Sequence, residues 1–212
     1  MSTIFQTLSE EQFQIIDEMV EEQKMAMLAG NSLPESTVTF YGGAMISKED
    51  KDYLFVKNLA KEFAARGWGV VSGGGPGIME ASLLGAKEAG GTTVAYRIDI
   101  KNEKPTVLAD IDILFKHFSI RKRALRQSDA LVYAPGGFGT LDELMENLTL
   151  IKTHKYPEKP IFLLNRQFWS GYIQWFEKIL IAERKVVSQD ATKLFKMVDT
   201  VGEVIESLYG KS

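Results

Sequence analysis

Past Ser36 the apolar residues fall into short runs rich in β-branched and aromatic side chains. The stretches between them carry apolar residues at helical spacing. Thr37–Tyr41, Trp68–Ser72, Thr92–Ile98, Ile111–Phe115, Ala130–Ala134 and Ile161–Leu164 are the short runs, and their length suits buried strands. Between the first two, Tyr53, Val56, Ala60 and Phe63 mark the buried face of a helix from about Glu49 to Arg66, with Gly67 as its stop. Another helix ends at Gly90, and a basic one runs from about Ser119 to Gln127. Leu141, Leu144, Met145, Leu148 and Ile151 then fall at i, i+3, i+4, i+7 and i+10, on one face of a further helix. Gly171–Arg184 reads as an amphipathic, aromatic-rich helix and Thr200–Leu208 as a short closing one.

Strands and helices alternate with short connections. This predicts an α/β fold: a Rossmann-like, doubly wound, mostly parallel sheet with helices on both faces. Such sheets bind ligands outside the carboxyl ends of their strands, so the loops after the strands are where chemistry is expected. One helix stands outside the alternation. Ser9-Glu10-Glu11-Gln12 is a capping-box pattern that opens a helix to about Ala29, with Phe13, Ile16, Val20 and Met27 along one stripe. Because it precedes the first strand, it is expected to pack outside the sheet or against another subunit. The chain thus divides into an N-terminal helical extension, residues 1–36, and an α/β domain, residues 37–212.

Composition narrows the chemistry. The 212 residues suffice for one sizeable core. Acids and bases nearly balance, 28 to 25, so no nucleic-acid or acidic-membrane partner is expected. Without cysteine there is no disulfide, cysteine–zinc site or thiol nucleophile. His117 and His154 are too few and too far apart for a histidine metal cluster, so no metal is expected. No basic segment followed by an apolar run opens the chain, and no stretch approaches the roughly 18 apolar residues of a membrane span. The expectation is a soluble cytoplasmic protein.

Two strand ends carry glycine loops. Ser72-Gly73-Gly74-Gly75-Pro76-Gly77 is not the dinucleotide fingerprint, because Ile78 and Glu80 stand where its last glycine belongs. Nor is it a P-loop, since no Gly-Lys-Ser/Thr follows. It lets backbone approach a ligand closely at a helix start. A tight packing turn is the plainer reading of one such loop, and a second loop of the kind weakens it. That second loop, Pro135–Gly139, joins a strand to a helix, an arrangement whose free N–H groups and helix dipole hold a phosphate.

Lys116 to Arg126 concentrates positive charge without an acid just before the strand that feeds this loop. Arg121 or Lys122 is a candidate phosphate ligand; Arg123 and Arg126 are expected at solvent or an interface. Glu143 sits one turn into the helix after the second loop, where a site that only bound anions has no need of a carboxylate. Thr140-x-x-Glu143 is equally a capping box that would keep Glu143 on backbone N–H groups, and the residues alone leave the two readings balanced. Met79 and Met145 read as core, and His154 as surface.

Three segments taken together resemble a known family. Ser72 to Ala81 with Gly73, Gly74, Gly75, Gly77 and Glu80, the pair Arg121-Lys122, and Pro135-Gly-Gly-Phe-Gly-Thr-Leu-Asp-Glu143 look like the three signatures of the Lonely Guy family, in the same order. The resemblance runs from about Thr37 to Trp175 and is nearer the bacterial branch than the plant enzymes. It makes residues 37–212 a nucleotide-binding domain. The family's members are cytokinin riboside 5′-monophosphate phosphoribohydrolases and related nucleoside-monophosphate nucleosidases, often mislabelled lysine decarboxylases. Carried over, the resemblance implies Arg121 and Glu143 as the catalytic pair. Lys122, the loop Gly136, Gly137, Phe138, Gly139 and Thr140, and Thr149 would contact substrate. Glu103 falls where the family often has a binding glutamate, in a variable loop. Glu80 replaces the glycine of the plant motif and would add a carboxylate to the pocket, so the plant substrate preference is not implied.

The implied reaction is hydrolysis of the N-glycosidic bond of a nucleoside 5′-monophosphate, AMP or a cytokinin riboside monophosphate, to free base and ribose 5-phosphate. It calls for no cofactor. The resemblance also implies a homodimer or higher homo-oligomer with its site near the interface. Phe168, Trp169, Tyr172, Trp175 and Phe176 agree with an interface, and equally with a well-filled domain core. The alternative is a non-catalytic carrier of a nucleotide or a molybdopterin cofactor, since related folds use similar loops for carrying; Glu143 is the residue a carrier does not need. A single-stranded DNA binder of the same fold is a further rival, against which the charge balance argues.

Overall fold

In the computed structural model, which describes residues 8–98, 100 and 109–210, each apolar run forms a strand. These are β1 (Thr37–Tyr41), β2 (Gly69–Ser72), β3 (Thr93–Ile98), β4 (Ile111–Phe115), β5 (Ala130–Tyr133) and β6 (Ile161–Leu164). A strand the sequence did not reveal, β7 (Lys196–Val198), completes a seven-stranded sheet. Three residues are too few to leave a periodic signal. The helices are α1 (Glu10–Gly30), α2 (Lys51–Ala65), α3 (Ile78–Glu88), α4 (Phe118–Leu125), α5 (Phe138–Lys152), α6 (Arg166–Trp175) and α7 (Val201–Tyr209). Gly67, at φ +82°, stops the helix α2 as expected.

The strand order is β4-β3-β2-β1-β5-β6-β7, and every neighbouring pair is parallel. The chain winds outward from β1 to β4, then returns to β5 on the other side of β1. The switch point therefore lies between β1 and β5, where an open α/β sheet has its binding crevice. Alternate residues along the strands serve opposite faces. Val38, Phe40, Val132 and Phe162 pack with α2, α3 and α7. Tyr41, Val71, Tyr133 and Leu163 pack with α1, α4, α5 and α6. Each such fully buried side chain contributes about 1.5–3 kcal/mol.

Two helices differ from the sequence reading. The capping box of α1 forms, Ser9 Oγ accepting from the Gln12 N–H and Gln12 Oε1 from the Ser9 N–H. Yet the stripe Phe13, Ile16, Val20 and Met27 is 44–58% exposed, while Glu22 and Ala26 are the buried residues of the helix. The helix packs on α4 and β4 through its more polar side and turns its apolar side outward. The aromatic-rich helix starts at Arg166 rather than Gly171, because Asn165 caps it by accepting the Phe168 N–H at 3.1 Å. It continues past Trp175 as a π-helical segment, Phe176–Glu183. Its aromatic residues divide: Trp169 and Phe176 are buried, whereas Phe168 and Trp175 are about half exposed. Among the described residues no helix is long and apolar enough to cross a membrane.

Candidate active site

After β5, residues 134–137 lead into α5, whose N-cap, Gly137, makes no side-chain bond to the first turn. The loop is tied to the one after β1, since Pro135 O accepts the Gly43 N–H at 2.9 Å. The helix α3 starts similarly, from Gly77 at φ +67° with no side-chain cap. A Cβ at Gly77 would lie 2.3 Å from the carbonyl oxygen of Gly43, so only glycine lets these two loops meet. The capping box Thr140-x-x-Glu143 does not form. The helix begins at Phe138, which places Thr140 in its first turn and Glu143 past the positions a cap can reach.

Glu143 meets Arg121 instead. Arg121 is a buried residue of α4; its Nε donates to Tyr96 O at 2.7 Å and its Nη1 to Glu143 Oε1 at 3.3 Å. Burial pushes the Glu143 carboxyl up to about 7, against the pull of Arg121 and Lys122 and with help from Asp142 and Glu146. A carboxyl poised near neutrality suits proton transfer at physiological pH. Behind it, Asn147 Nδ2 donates to Tyr133 Oη at 2.7 Å, and Tyr133 Oη donates to Glu143 O at 3.3 Å.

The basic run finds its counter-charges on α5. Lys122 pairs with Asp142 at 3.0 Å and Glu146 at 2.7 Å, and both terminal nitrogens of Arg126 donate to Glu146 Oε1 at 2.8 and 2.7 Å. Arg126 is therefore buried within its own chain, which corrects the expectation of solvent or interface; Arg123 is exposed, as expected.

A cleft of about 630 Å³ opens at the switch point. It brings together Gly73, Gly74, Gly75, Arg121, Lys122, Gly136, Gly137, Gly139, Thr140 and Glu143 of the expected residues. Gly77 shapes the loop without lining the cleft, and Phe138 projects outward, 94% exposed. Glu80 corrects its expectation: it turns to Lys48 Nζ at 2.9 Å and Tyr53 Oη at 3.4 Å because those neighbours solvate its charge, and it does not line the cleft. Thr149 is likewise absent from the lining, being exposed well along α5 from the loop. Glu103 lies outside the described residues. Residues not foreseen also line the cleft: Gly42, Gly43, Met79 (read as core), Asp142, and Arg97, whose Nε donates to Asp112 Oδ1 at 2.6 Å. Arg97 sits at the carboxyl end of β3, a position the strand-end rule marks. Met145, also read as core, is partly exposed.

A family profile described as "Possible lysine decarboxylase" matches residues 79–208, which include Arg121, the second glycine loop and Glu143. A cytokinin riboside 5′-monophosphate phosphoribohydrolase of Mycobacterium tuberculosis is 32% identical over 151 residues, covering 68% of this chain and 78% of that protein. The chain belongs to the Lonely Guy family. A probable cytokinin riboside 5′-monophosphate phosphoribohydrolase of Oryza sativa subsp. japonica is 28% identical over 156 residues, 71% of this chain and 72% of that one. Among solved structures, a molybdenum cofactor binding protein from Rippkaea orientalis superposes with a TM-score of 0.60 at 23% identity, over 83% of this chain and 95% of that one. It shares the fold. The Lonely Guy profile begins after α1, β1 and β2, so the helix α1 lies outside it.

Proposed function

We propose that this chain hydrolyses the N-glycosidic bond of a nucleoside 5′-monophosphate, AMP or a cytokinin riboside monophosphate, releasing the base and ribose 5-phosphate. The observation that carries the reading is the buried Arg121–Glu143 contact in a cleft that two uncapped glycine loops also line. Backbone N–H groups at the start of α5 take the 5′-phosphate, favoured by the helix dipole. The apolar wall of Met79, Ile98, Leu114 and Phe118 suits a flat base. As the bond to the base breaks, positive charge grows on the ribose, and the Glu143 carboxylate stabilises it. The same carboxylate orients a water and takes its proton as the hydroxyl adds to the anomeric carbon. Arg121 holds the substrate and helps the leaving base accept the bond's electrons. Lys122, Gly136, Gly137, Gly139 and Thr140 hold the substrate around this pair.

The reading includes a cytoplasmic homodimer that binds no nucleic acid, with residues 1–36 an extension added to the nucleotide-binding domain 37–212. The outward stripe of α1 supports the dimer. The pairing of Lys122 and Arg126 with α5 leaves the basic run little charge to offer a nucleic acid. A carrier of a nucleotide or molybdopterin cofactor, the alternative suggested by the shared fold, has no use for a carboxyl poised near neutrality beside a buried arginine. Incubating the protein with a panel of nucleoside monophosphates and assaying free base decides between them. Base release is the expected outcome; tight binding with every nucleotide recovered intact would favour the carrier.

A further inference from the structure

The helix α4 carries Arg121 and Lys122, and its N-cap residue, His117, makes no side-chain cap. The missing acceptor comes from α1. Glu22, 4% exposed, accepts the backbone N–H of Lys116 on Oε1 and that of His117 on Oε2 at 3.3 Å, and His117 Nδ1 lies 3.1 Å from the same Oε2. A buried carboxylate is costly unless its oxygens are bonded, and a helix start is where its charge is favoured. Both oxygens of Glu22 are used on one target, the entry to α4. From there the bonds run on without a gap. His117 O accepts the Arg121 N–H at 3.1 Å, and Arg121 Nη1 donates to Glu143.

We infer that Glu22 is a positioning residue for the reaction: by fixing the entry of α4 it sets how Arg121 meets Glu143. The kinetic part of this inference rests on the proposed N-glycosidic hydrolysis. Glu22 touches neither glycine loop, so its loss leaves the phosphate cradle in place and loosens one member of the catalytic pair. The effect falls more on turnover than on binding, which Arg121 and Lys122 of α4 share with the glycine loops. Glu22 lies outside the matched profile, residues 79–208, whereas its partners Lys116 and His117 lie within it.

The test uses the full chain carrying Glu22→Ala, Glu22→Gln or, as a control, Glu18→Ala. The control removes the Glu18–Lys116 ion pair (3.2 Å) at the same junction and leaves the α4 entry bonded. With each variant assayed well below its own unfolding midpoint, Glu22→Ala lowers kcat roughly tenfold to a hundredfold while KM stays within about threefold, the signature of a misplaced catalytic group. Glu22→Gln, whose single amide oxygen can accept only one of the two N–H groups, recovers part of the loss and stays several-fold below the unmodified chain, and Glu18→Ala matches the unmodified chain. A lower unfolding midpoint with unchanged kcat would make Glu22 a merely structural residue and overturn the inference. If Glu22→Ala does not fold, Glu22→Gln decides alone: reduced kcat at unchanged KM supports the inference and unchanged kcat overturns it. If the unmodified chain releases no base, the functional reading fails by itself. Amide hydrogen exchange at residues 118–121 then reads the inference, faster exchange in the Glu22 variants supporting it and equal exchange overturning it.

Discussion

The guanidinium of Arg121 lies where a side chain at position 73 would begin: a Cβ on Gly73 would sit 2.2 Å from Arg121 Nη2 and 2.6 Å from Met79 Sδ. Both are far ends of flexible side chains, so Gly73→Ala moves them and spares the backbone. The expected result is a loss of about a hundredfold in kcat/KM with an unfolding free energy within about 1 kcal/mol of the unmodified chain. Gly77→Ala is the contrast. Its Cβ would meet the backbone oxygens of Gly43 and Ala44 at 2.3 and 2.8 Å, from a backbone at φ +67°. That variant is expected to lose 2 kcal/mol or more, on the order of the strain and overpacking costs of such sites. Denaturant unfolding beside kinetics separates the two; an equal stability loss at both positions would show that Arg121 does not yield.

Glu143→Gln keeps the size of the side chain and removes its charge. Base release is expected to vanish while nucleotide binding, measured by calorimetry, largely survives. Because Glu143 caps nothing, helix formation gives no reason for a folding defect. With its carboxyl at about 7, kcat/KM of the unmodified chain should fall as pH drops through that region and the carboxylate is protonated. A flat profile between pH 5.5 and 8 would remove Glu143 from the chemistry.

The same carboxyl makes a prediction about stability. Its folded value, about 7, stands above the unfolded value of 4.5, so between the two the folded chain holds more protons than the unfolded one. Stability from this group is present below the unfolded value and is lost as pH rises through the folded one. The full difference corresponds to about 3 kcal/mol. The unfolding free energy of Glu143→Gln minus that of the unmodified chain should therefore grow by about 2–3 kcal/mol between pH 4.5 and 8. A difference that stays constant would show that burial does not govern this carboxyl.

What the sequence made legible was whatever repeats or breaks along it. The six longer strands follow from runs such as Thr37–Tyr41, and the cleft from the glycines that end two of them. The pairing of the basic run was not legible, because Arg126 and Glu146 are twenty positions apart and meet only when α4 and α5 lie side by side. The capping box at Thr140 left the role of Glu143 open because the motif alone does not record where helical backbone starts, and the helix begins one turn earlier. For α1 the stripe was visible and its orientation was not. Amphipathicity marks an apolar face without saying whether it turns to its own sheet.

Glu80 and Thr149 separate what the family resemblance carries over from what this chain's geometry supports. Neither lines the cleft. Glu80→Gln and Thr149→Ala are each expected to leave KM within about twofold, as befits residues that touch no substrate. A rise in KM of tenfold or more in either would mean that substrate reaches past the cleft described, or that a second subunit brings the residue to the site.

The last prediction concerns the outward face of α1. Phe13, Ile16, Val20, Gln23 and Met27 follow one another at spacings of three and four, the seam of a coiled coil with one polar residue in it. The apolar members are 44–58% exposed, and Glu22 and Ala26, on the other side, are buried against the chain itself. In the proposed dimer a second copy of α1 would supply the complementary seam, and a two-fold axis between the copies would make the contact self-complementary. Light scattering at micromolar concentration is expected to give the mass of a dimer. Val20→Asp, near the middle of the seam, should give a monomer, because pairing would bury an unpaired carboxylate from each chain. A monomeric unmodified chain would end the proposal of a dimer. A Val20→Asp dimer would keep the dimer and move its interface off α1, towards another exposed apolar site such as Phe138 beside the cleft.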